Sequence, residues 1–226
     1  MAIALNTNAL DYALRVSENN QEIGVSYNKV GIIHYYKGEV DSAAIQIGLS
    51  IDYYQDPSLK ANSLNNLALM NKYLDNRDQS ILNYQNALKI YQELNDTIKQ
   101  ITVINNISGL HFSLNELDAA ERYALEAISM ASIVRSRGEL MDGNVSLASV
   151  YSARKQFEKA LPLLIQTRDY FEEIGNTTSK MIVMNNIANC YSGNGNDLKA
   201  IEGYKEVLEL MIDSKIERNK EAALIN

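Results

Sequence analysis

Residues 63–70 read SLNNLALM, a stretch that sets two asparagines, Asn65 and Asn66, into a pattern of apolar residues at helical spacing. Asparagine is a middling helix former, and a shielded amide without a partner costs about 1–3 kcal/mol. The same pattern returns as VINNISGL at 103–110 and as VMNNIANC at 183–190. Because a local accident does not recur in register, the stretch indicates an internal repeat.

Small residues mark the period of this repeat. Those in the asparagine segments are 37, 40, 40 and 40 residues apart: Gly31, Ala68, Ser108, Ala148 and Ala188. A second set follows twelve residues after the first: Ala43, Ser80, Ala120, Ala160 and Ala200. Turn-forming residues stand between the two sets: Gly38, Asn76, Asn115 and Gly195. We therefore expect units of about forty residues, each a helix, a turn and a second helix.

The repeat predicts an all-α fold. No stretch alternates as a strand would, and a pair of helices that cannot bury its own apolar stripe must stack on its neighbours. We expect a right-handed superhelical solenoid of helix-turn-helix repeats, a single array over residues 1–226. Its predicted parts are the second helix of a truncated unit at 1–20, full units at 21–57, 58–96, 97–136, 137–176 and 177–215, and the start of a sixth at 216–226. Since both ends fall inside a unit, we expect a fragment of a longer protein.

Composition argues against several classes of partner. The net charge of −7 and the lack of a long basic run make nucleic-acid binding by this chain unfavourable. No apolar run approaches the roughly 18 residues of a membrane span, and the first residues lack the basic start of a secretory signal. A single cysteine excludes an internal disulfide. We expect a cytoplasmic protein with no membrane partner.

The units resemble tetratricopeptide repeats. Repeats of that family typically have a large apolar residue, a leucine, a small residue and an aromatic on the first helix, followed by Ala, an aromatic and Ala on the second. One unit fills these positions with Met184, Ile187, Ala188, Tyr191, Ala200, Tyr204 and Val207. The period is near 40 instead of about 34, and the Trp and the closing proline are absent. Long units of this kind resemble those of bacterial signalling proteins, including kinase-linked sensor regions, and of the kinesin light chain.

The resemblance implies a groove lined by the first helices, with the asparagine pairs near its surface. An amide both donates to a carbonyl and accepts from an N–H, so a row of amides can hold the main chain of an extended peptide. The candidate groove residues are Asn28, Asn65, Asn66, Asn105, Asn106, Asn185, Asn186, Asn189, Tyr35, Tyr36, Lys72, Tyr73 and Phe112. The alternative is that the asparagine amides bond to the neighbouring repeat and hold the stack together.

Signals for catalysis are weak. His34 and His111 occupy the position where the family has an aromatic, in units too far apart to share a metal. Cys190 has no histidine near it in sequence, and Gly193 and Gly195 lack the preceding strand of a phosphate-binding loop. We expect no enzyme in this segment, and neither a metal nor a cofactor.

Three functional hypotheses follow. The first is a protein- or peptide-binding scaffold that forms the sensory or regulatory region of a larger bacterial signalling protein. The second is a stand-alone receptor for a short signalling peptide, which an apolar pocket around Tyr35, Tyr73 and Phe112 would favour. The third is a structural assembly module that uses its convex face. Uncapped ends would also allow end-to-end self-association of this fragment.

Overall fold

The computed structural model describes the backbone of residues 20–224 and the side chains of residues 20–213. This part of the chain contains α-helices and no strand, which confirms the all-α helical-repeat fold. The helices are α1 Asn20–Tyr36, α2 Val40–Tyr53, α3 Pro57–Tyr73, α4 Arg77–Glu93, α5 Thr97–Ser113, α6 Leu117–Ile133, α7 Arg137–Ala153, α8 Phe157–Glu173, α9 Thr177–Gly193 and α10 Asp197–Leu224. The predicted truncated unit lies outside the described residues, apart from Asn20, which begins α1.

The helices from α3 to α9 follow one rule: each has 17 residues and is separated from the next by a three-residue turn. One residue in each turn takes a positive φ: Asp75, Asn95, Asn115, Arg135, Lys155, Gly175 and Gly195. In the first of these turns the N–H of Asn76 donates to the carbonyl of Asn71 at 2.8 Å. That bond reaches back over the left-handed residue and satisfies a carbonyl at the helix end. The forty-residue period is therefore two equal helices with two equal turns.

Helix starts follow from local sequence. Asp56 precedes α3, and its carboxylate accepts from the N–H groups of Ser58 and Leu59 at 2.7 and 3.3 Å. Pro57 takes the first helical position, where a missing N–H costs nothing. Asn176 caps α9 by accepting from the N–H of Ser179 at 3.0 Å.

The chain divides into two compact units, Met1–Leu110 and His111–Asn226, with the boundary inside α5. The single array and its six unit boundaries stay a prediction. The last helix, α10, has 28 residues and continues through the start of the predicted sixth unit without a turn.

In the first unit the small residues lie where the two helices of a pair touch. Gly31 on α1 faces α2 so closely that a Cβ there would lie 2.5 Å from Cγ1 of Ile47. In the next pair, the buried Ser80 donates from its hydroxyl to the carbonyl of Ala68 at 2.8 Å. Larger apolar residues then fill the space around these contacts, as Met70 does beside Ile47. The periodic small residues are thus required by close helix packing.

The second unit repeats this construction. Its core contains the small residues Ala148 and Ala160, both fully buried, packed with Leu164 and Val183. The helix α8 runs through Pro162 without a break. Its last residue, Glu173, accepts a bidentate pair of hydrogen bonds from Arg137, the first residue of α7, at 2.9 and 2.7 Å.

Candidate functional site

The asparagine pairs of α3 and α5 are joined to each other. Nδ2 of Asn106 donates to Oδ1 of Asn65 at 2.9 Å, and both residues are half-buried. The bond connects the first helices of two successive repeats, 41 residues apart in sequence. One asparagine of each pair therefore contributes to holding neighbouring repeats together, in line with the structural alternative that the sequence left open.

Asn28 on α1 also contacts the following repeat. Its Nδ2 donates to the hydroxyl of Ser63 on α3, and the buried Ser50 donates to the same hydroxyl at 2.8 Å. Tyr54 joins this group: burial raises the pKa of its phenol, while hydrogen bonds with Ser63, Asn28 and Ser50 oppose that rise. The result is a shielded polar network between the first and second repeats.

Sequence reasoning did not single out this network. A signal was present, because Ser63 stands at a position where the later units have Val103 and Val183, both buried. A hydroxyl at an otherwise apolar position indicates a nearby polar partner. What the sequence could not show is that Asn28 would be that partner.

The remaining asparagines of the pairs keep free amide groups. Asn66 and Asn186 are half-buried and Asn185 is exposed, and their side chains form no hydrogen bond within the part of the chain that the structure describes. Asn105 is the most constrained of the four. Its Oδ1 is buried and has no donor among the described residues. A buried acceptor without a partner costs about 1–3 kcal/mol.

The predicted aromatic residues of the first unit form one cluster. The hydroxyl of Tyr35 donates to that of Tyr73 at 3.3 Å, and their ring centroids are 5.7 Å apart. The ring of Tyr36 lies 5.6 Å from that of Tyr35. The hydrogen bond with Tyr73, together with burial, raises the pKa of Tyr35 to about 12. Nζ of Lys72 lies 5.9 Å from the centroid of the Tyr73 ring.

This cluster is open to solvent. Tyr36 is 82% exposed and Tyr73 is 54% exposed, which is unusual for aromatic side chains that have neighbours to pack against. Nζ of Lys72 also lies 3.6 Å from the point where a Cβ of Gly109 would be, so the missing side chain leaves room for the lysine against α5.

The second unit holds the other predicted residues. Oδ1 of Asn189 accepts from the hydroxyl of Tyr204 at 2.6 Å, a contact between α9 and α10. Phe112, at the end of α5, is 37% exposed. Asn189 therefore joins the two helices of the last pair, whereas the free amides of this unit are those of Asn185 and Asn186.

Both histidines pair with glutamates in the following turn. The ring of His34 bonds to Glu39, and the ring of His111 bonds to Glu116 at 2.6 Å and stacks on Tyr123 with a centroid distance of 5.2 Å. These contacts connect the ends of α1 and α5 to the turns that follow them. The five-residue spacing of His and Glu, visible in sequence, is the signal for them.

Cys190 is buried beside the hydroxyl of Ser152 at 3.1 Å, and burial raises the pKa of its thiol. A raised pKa keeps the thiol protonated and therefore a poor nucleophile. Within residues 20–213, no three side chains of His, Cys, Asp or Glu come together as metal ligands would. No helix in the described chain has the length and apolarity needed to cross a membrane.

Comparison with known families agrees with this geometry. The sequence model of the family described as tetratricopeptide repeat matches residues 59–132 and 140–213, which is more than half of the chain. No curated protein sequence matches the chain significantly.

Solved structures share the fold. BtubC (BKLC) from P. vanneervenii has a TM-score of 0.73 at 16% identity, with 94% of this chain and 91% of that chain covered. A Rap protein complexed with Competence and Sporulation Factor has a TM-score of 0.79 at 14% identity, with 92% and 58% covered. The Rap conjugation gene regulator of the plasmid pLS20, in complex with the Phr* peptide, has a TM-score of 0.75 at 13% identity, with 95% and 63% covered. At these identities the likeness concerns the fold alone.

Proposed function

Since this chain belongs to the tetratricopeptide repeat family, we propose that it is a non-enzymatic scaffold that binds an extended peptide or protein segment along the first helices of its repeats. The main chain of the ligand is held by those asparagine amides that the packing of the repeats leaves free. In the first unit these are Asn66 and Asn105, and in the second unit they are Asn185 and Asn186.

The observation that carries the proposal is the carbonyl oxygen of the Asn105 side chain. It is buried without a donor, whereas the neighbouring Asn106 donates a hydrogen bond to Asn65. A main-chain N–H of an extended peptide is a donor of the right kind, because it recurs along any sequence. Since the oxygen is shielded from solvent, the Asn105 amide turns toward the surface when the peptide binds. In the pairs of α3 and α5, one asparagine then links the repeats and the other serves the ligand.

Aromatic side chains supply the apolar part of the proposed site. Tyr36 and Tyr73 are largely exposed in the same unit as the free amides, and the contact with Tyr35 orients them. Exposed aromatics that are held in place make good anchors for apolar side chains of a partner. The favoured ligand has one or two apolar residues among many main-chain contacts, and Phe112 would make a similar contact in the second unit.

The setting of this binding is proposed from the resemblance of the repeats to those of known proteins. The sequence resemblance favours the sensory or regulatory region of a larger bacterial signalling protein in the cytoplasm. A second candidate is a stand-alone receptor for a short signalling peptide, which the Rap regulator solved with the Phr* peptide supports through its shared fold.

Selection from a library of random twelve-residue peptides tests the proposal. The chain and two variants are used as bait: Asn66→Ala with Asn105→Ala, and the control Asn86→Ala. Asn86 is an exposed amide on the second helix α4, away from the proposed site. Thermal melting is recorded for all three proteins, so that loss of binding is separated from loss of fold.

We expect the wild type and the Asn86 variant to select the same peptides with similar affinity. The double variant should melt within a few degrees of the wild type and should bind the selected peptides about five- to 150-fold more weakly, since two hydrogen bonds of about 0.5–1.5 kcal/mol each are lost. Equal binding by the double variant would contradict the proposed site. Failure of the wild type to select any peptide would contradict the proposed function.

A further inference from the structure

A hollow of about 310 Å³ lies between α8, α9 and α10 in the second unit. It is within the range of about 300–1,000 Å³ that is usual for small-ligand pockets, at the lower end. None of the residues proposed to hold a peptide lines this hollow. It therefore requires a separate explanation.

Gly203 on α10 lines the hollow and has no side chain to fill it. The equivalent residues of the three preceding units, at steps of forty, are Asn83, Tyr123 and Leu163. Each of those side chains fills its space: Asn83 is buried, Tyr123 stacks on His111, and Leu163 packs against the core of the second unit. In the last unit the side chain is absent and α10 lies close to α9 at this point, since a Cβ at Gly203 would lie 3.1 Å from Cβ of Ala188.

Apolar residues form the floor of the hollow. Met184 and Ile187 of α9 line it and are themselves buried, and Ile165 of α8 adds a further aliphatic wall. The ring of Tyr191 completes the apolar lining, with Nζ of Lys199 at 5.2 Å from its centroid. A floor of this kind favours the body of a branched aliphatic or aromatic group.

Charges of both signs form the rim. Glu202 and Glu206 are one helical turn apart on α10, and neither has an ion-pair partner within the described part of the chain. Like charges at this spacing repel each other, so a cation between them would be stabilised. Lys199 supplies the opposite charge, whereas Arg168 on the facing helix is already engaged with Asp169 at 2.6 Å.

We propose that this hollow binds a small zwitterion with an apolar side chain, of the size and chemistry of a free leucine or phenylalanine. The ammonium group lies against Glu202 and Glu206, the carboxylate faces Lys199, and the side chain lies on the apolar floor formed by Met184 and Ile187. Charge-assisted hydrogen bonds at the rim provide selectivity, and burial on the floor provides affinity.

Titration of the full chain by two-dimensional amide NMR tests this site. The ligands are L-leucine, L-phenylalanine, leucinamide, which lacks the carboxylate, and N-acetyl-leucine, which lacks the ammonium group. We expect the two amino acids to give saturable shifts at residues of α8, α9 and α10. Leucinamide and N-acetyl-leucine should each bind at least about tenfold more weakly.

Three variants separate the parts of the proposal. Glu202→Gln with Glu206→Gln should weaken leucine binding at least about tenfold, whereas the control Glu209→Gln, on the same helix but outside the hollow, should leave it unchanged. Gly203→Leu should abolish binding. It copies the preceding repeat, in which Leu163 and Ala148 stand where Gly203 and Ala188 stand here.

The glutamate variants keep the test valid even if Gly203→Leu unfolds, because both glutamates are exposed and their replacement does not disturb packing. The proposal is overturned if leucine and phenylalanine give no saturable shifts. It is also overturned if leucinamide or N-acetyl-leucine binds as tightly as leucine, or if the Glu202 and Glu206 variant binds leucine like the Glu209 control.

Discussion

Two glycine substitutions with opposite expected effects test the packing rule behind the repeat. A Cβ at Gly31 would lie 2.5 Å from Cγ1 of Ile47 and 3.1 Å from the carbonyl oxygen of Ala43, so α1 and α2 must separate to accept it. A Cβ at Gly48, in the middle of α2, would meet nothing within 4 Å. Both glycines are helical, so both lose the same conformational penalty when replaced by alanine.

The magnitudes follow from these contacts. Replacing a helical glycine by alanine gains about 0.5–1 kcal/mol, which is the whole effect expected for Gly48→Ala. At Gly31 the same gain is opposed by an overpacking cost of about 1–3 kcal/mol. We therefore expect Gly31→Ala to lower the free energy of unfolding by up to about 2.5 kcal/mol, and the two variants to differ by the overpacking cost of about 1–3 kcal/mol.

Urea and thermal unfolding, followed by the circular dichroism signal of the helices, measure this difference in stability. One kcal/mol corresponds to about 2–4 °C in Tm for a chain of this size. We expect Gly31→Ala to melt below the wild type and Gly48→Ala to melt above it. If Gly31→Ala is as stable as Gly48→Ala, the small residues are not required by helix contact, and the explanation of the forty-residue period fails.

Two further predictions concern turns. Arg135 has a φ of 57°, a left-handed conformation that L side chains rarely adopt, so Arg135→Gly should raise the free energy of unfolding by up to about 1 kcal/mol, measured by urea unfolding; a loss of stability would contradict this. The hydrogen bond from His34 lowers the pKa of Glu39, so the stabilisation is present above the ordinary carboxyl pKa and is lost as the pH falls through the lowered value. The difference in Tm between the wild type and Glu39→Gln should begin to shrink as the pH falls below about 4.3, the ordinary pKa of a glutamate side chain; a difference that stays the same from about pH 5 to pH 2 would contradict it.

Much of the fold could be predicted because its determinants are local and periodic. Close packing of paired helices needs small residues at fixed spacing, and such residues are visible in sequence as Gly31, Ala68 and Ser80. Turns could be predicted for a similar reason, since Gly38 and Gly195 adopt the positive φ that glycine tolerates best. Arg135 and Lys155 adopt the same positive φ although they are residue types that rarely do so. Residue type therefore does not predict these two turns.

The sequence could not predict which asparagine of the α3 and α5 pairs bonds to the neighbouring repeat and which does not. The resemblance of the sequence to tetratricopeptide repeats implies only that Asn65, Asn66, Asn105 and Asn106 lie near one face. Which amide meets its counterpart depends on the rotation of one first helix relative to the next, and that rotation is set by packing across the whole repeat. A shift of a few ångströms would pair different amides and leave another oxygen unpartnered.

The central claim is that the side-chain oxygen of Asn105 accepts a main-chain N–H of the ligand. A peptide selected by the wild type is therefore synthesised as a series, each member N-methylated at one amide, and the Kd of each is measured against the wild type and Asn105→Ala. We predict one position at which methylation weakens binding to the wild type about three- to tenfold and has no effect on the variant. If every methylated peptide loses the same affinity for both proteins, Asn105 does not hold the peptide main chain, and the account is wrong.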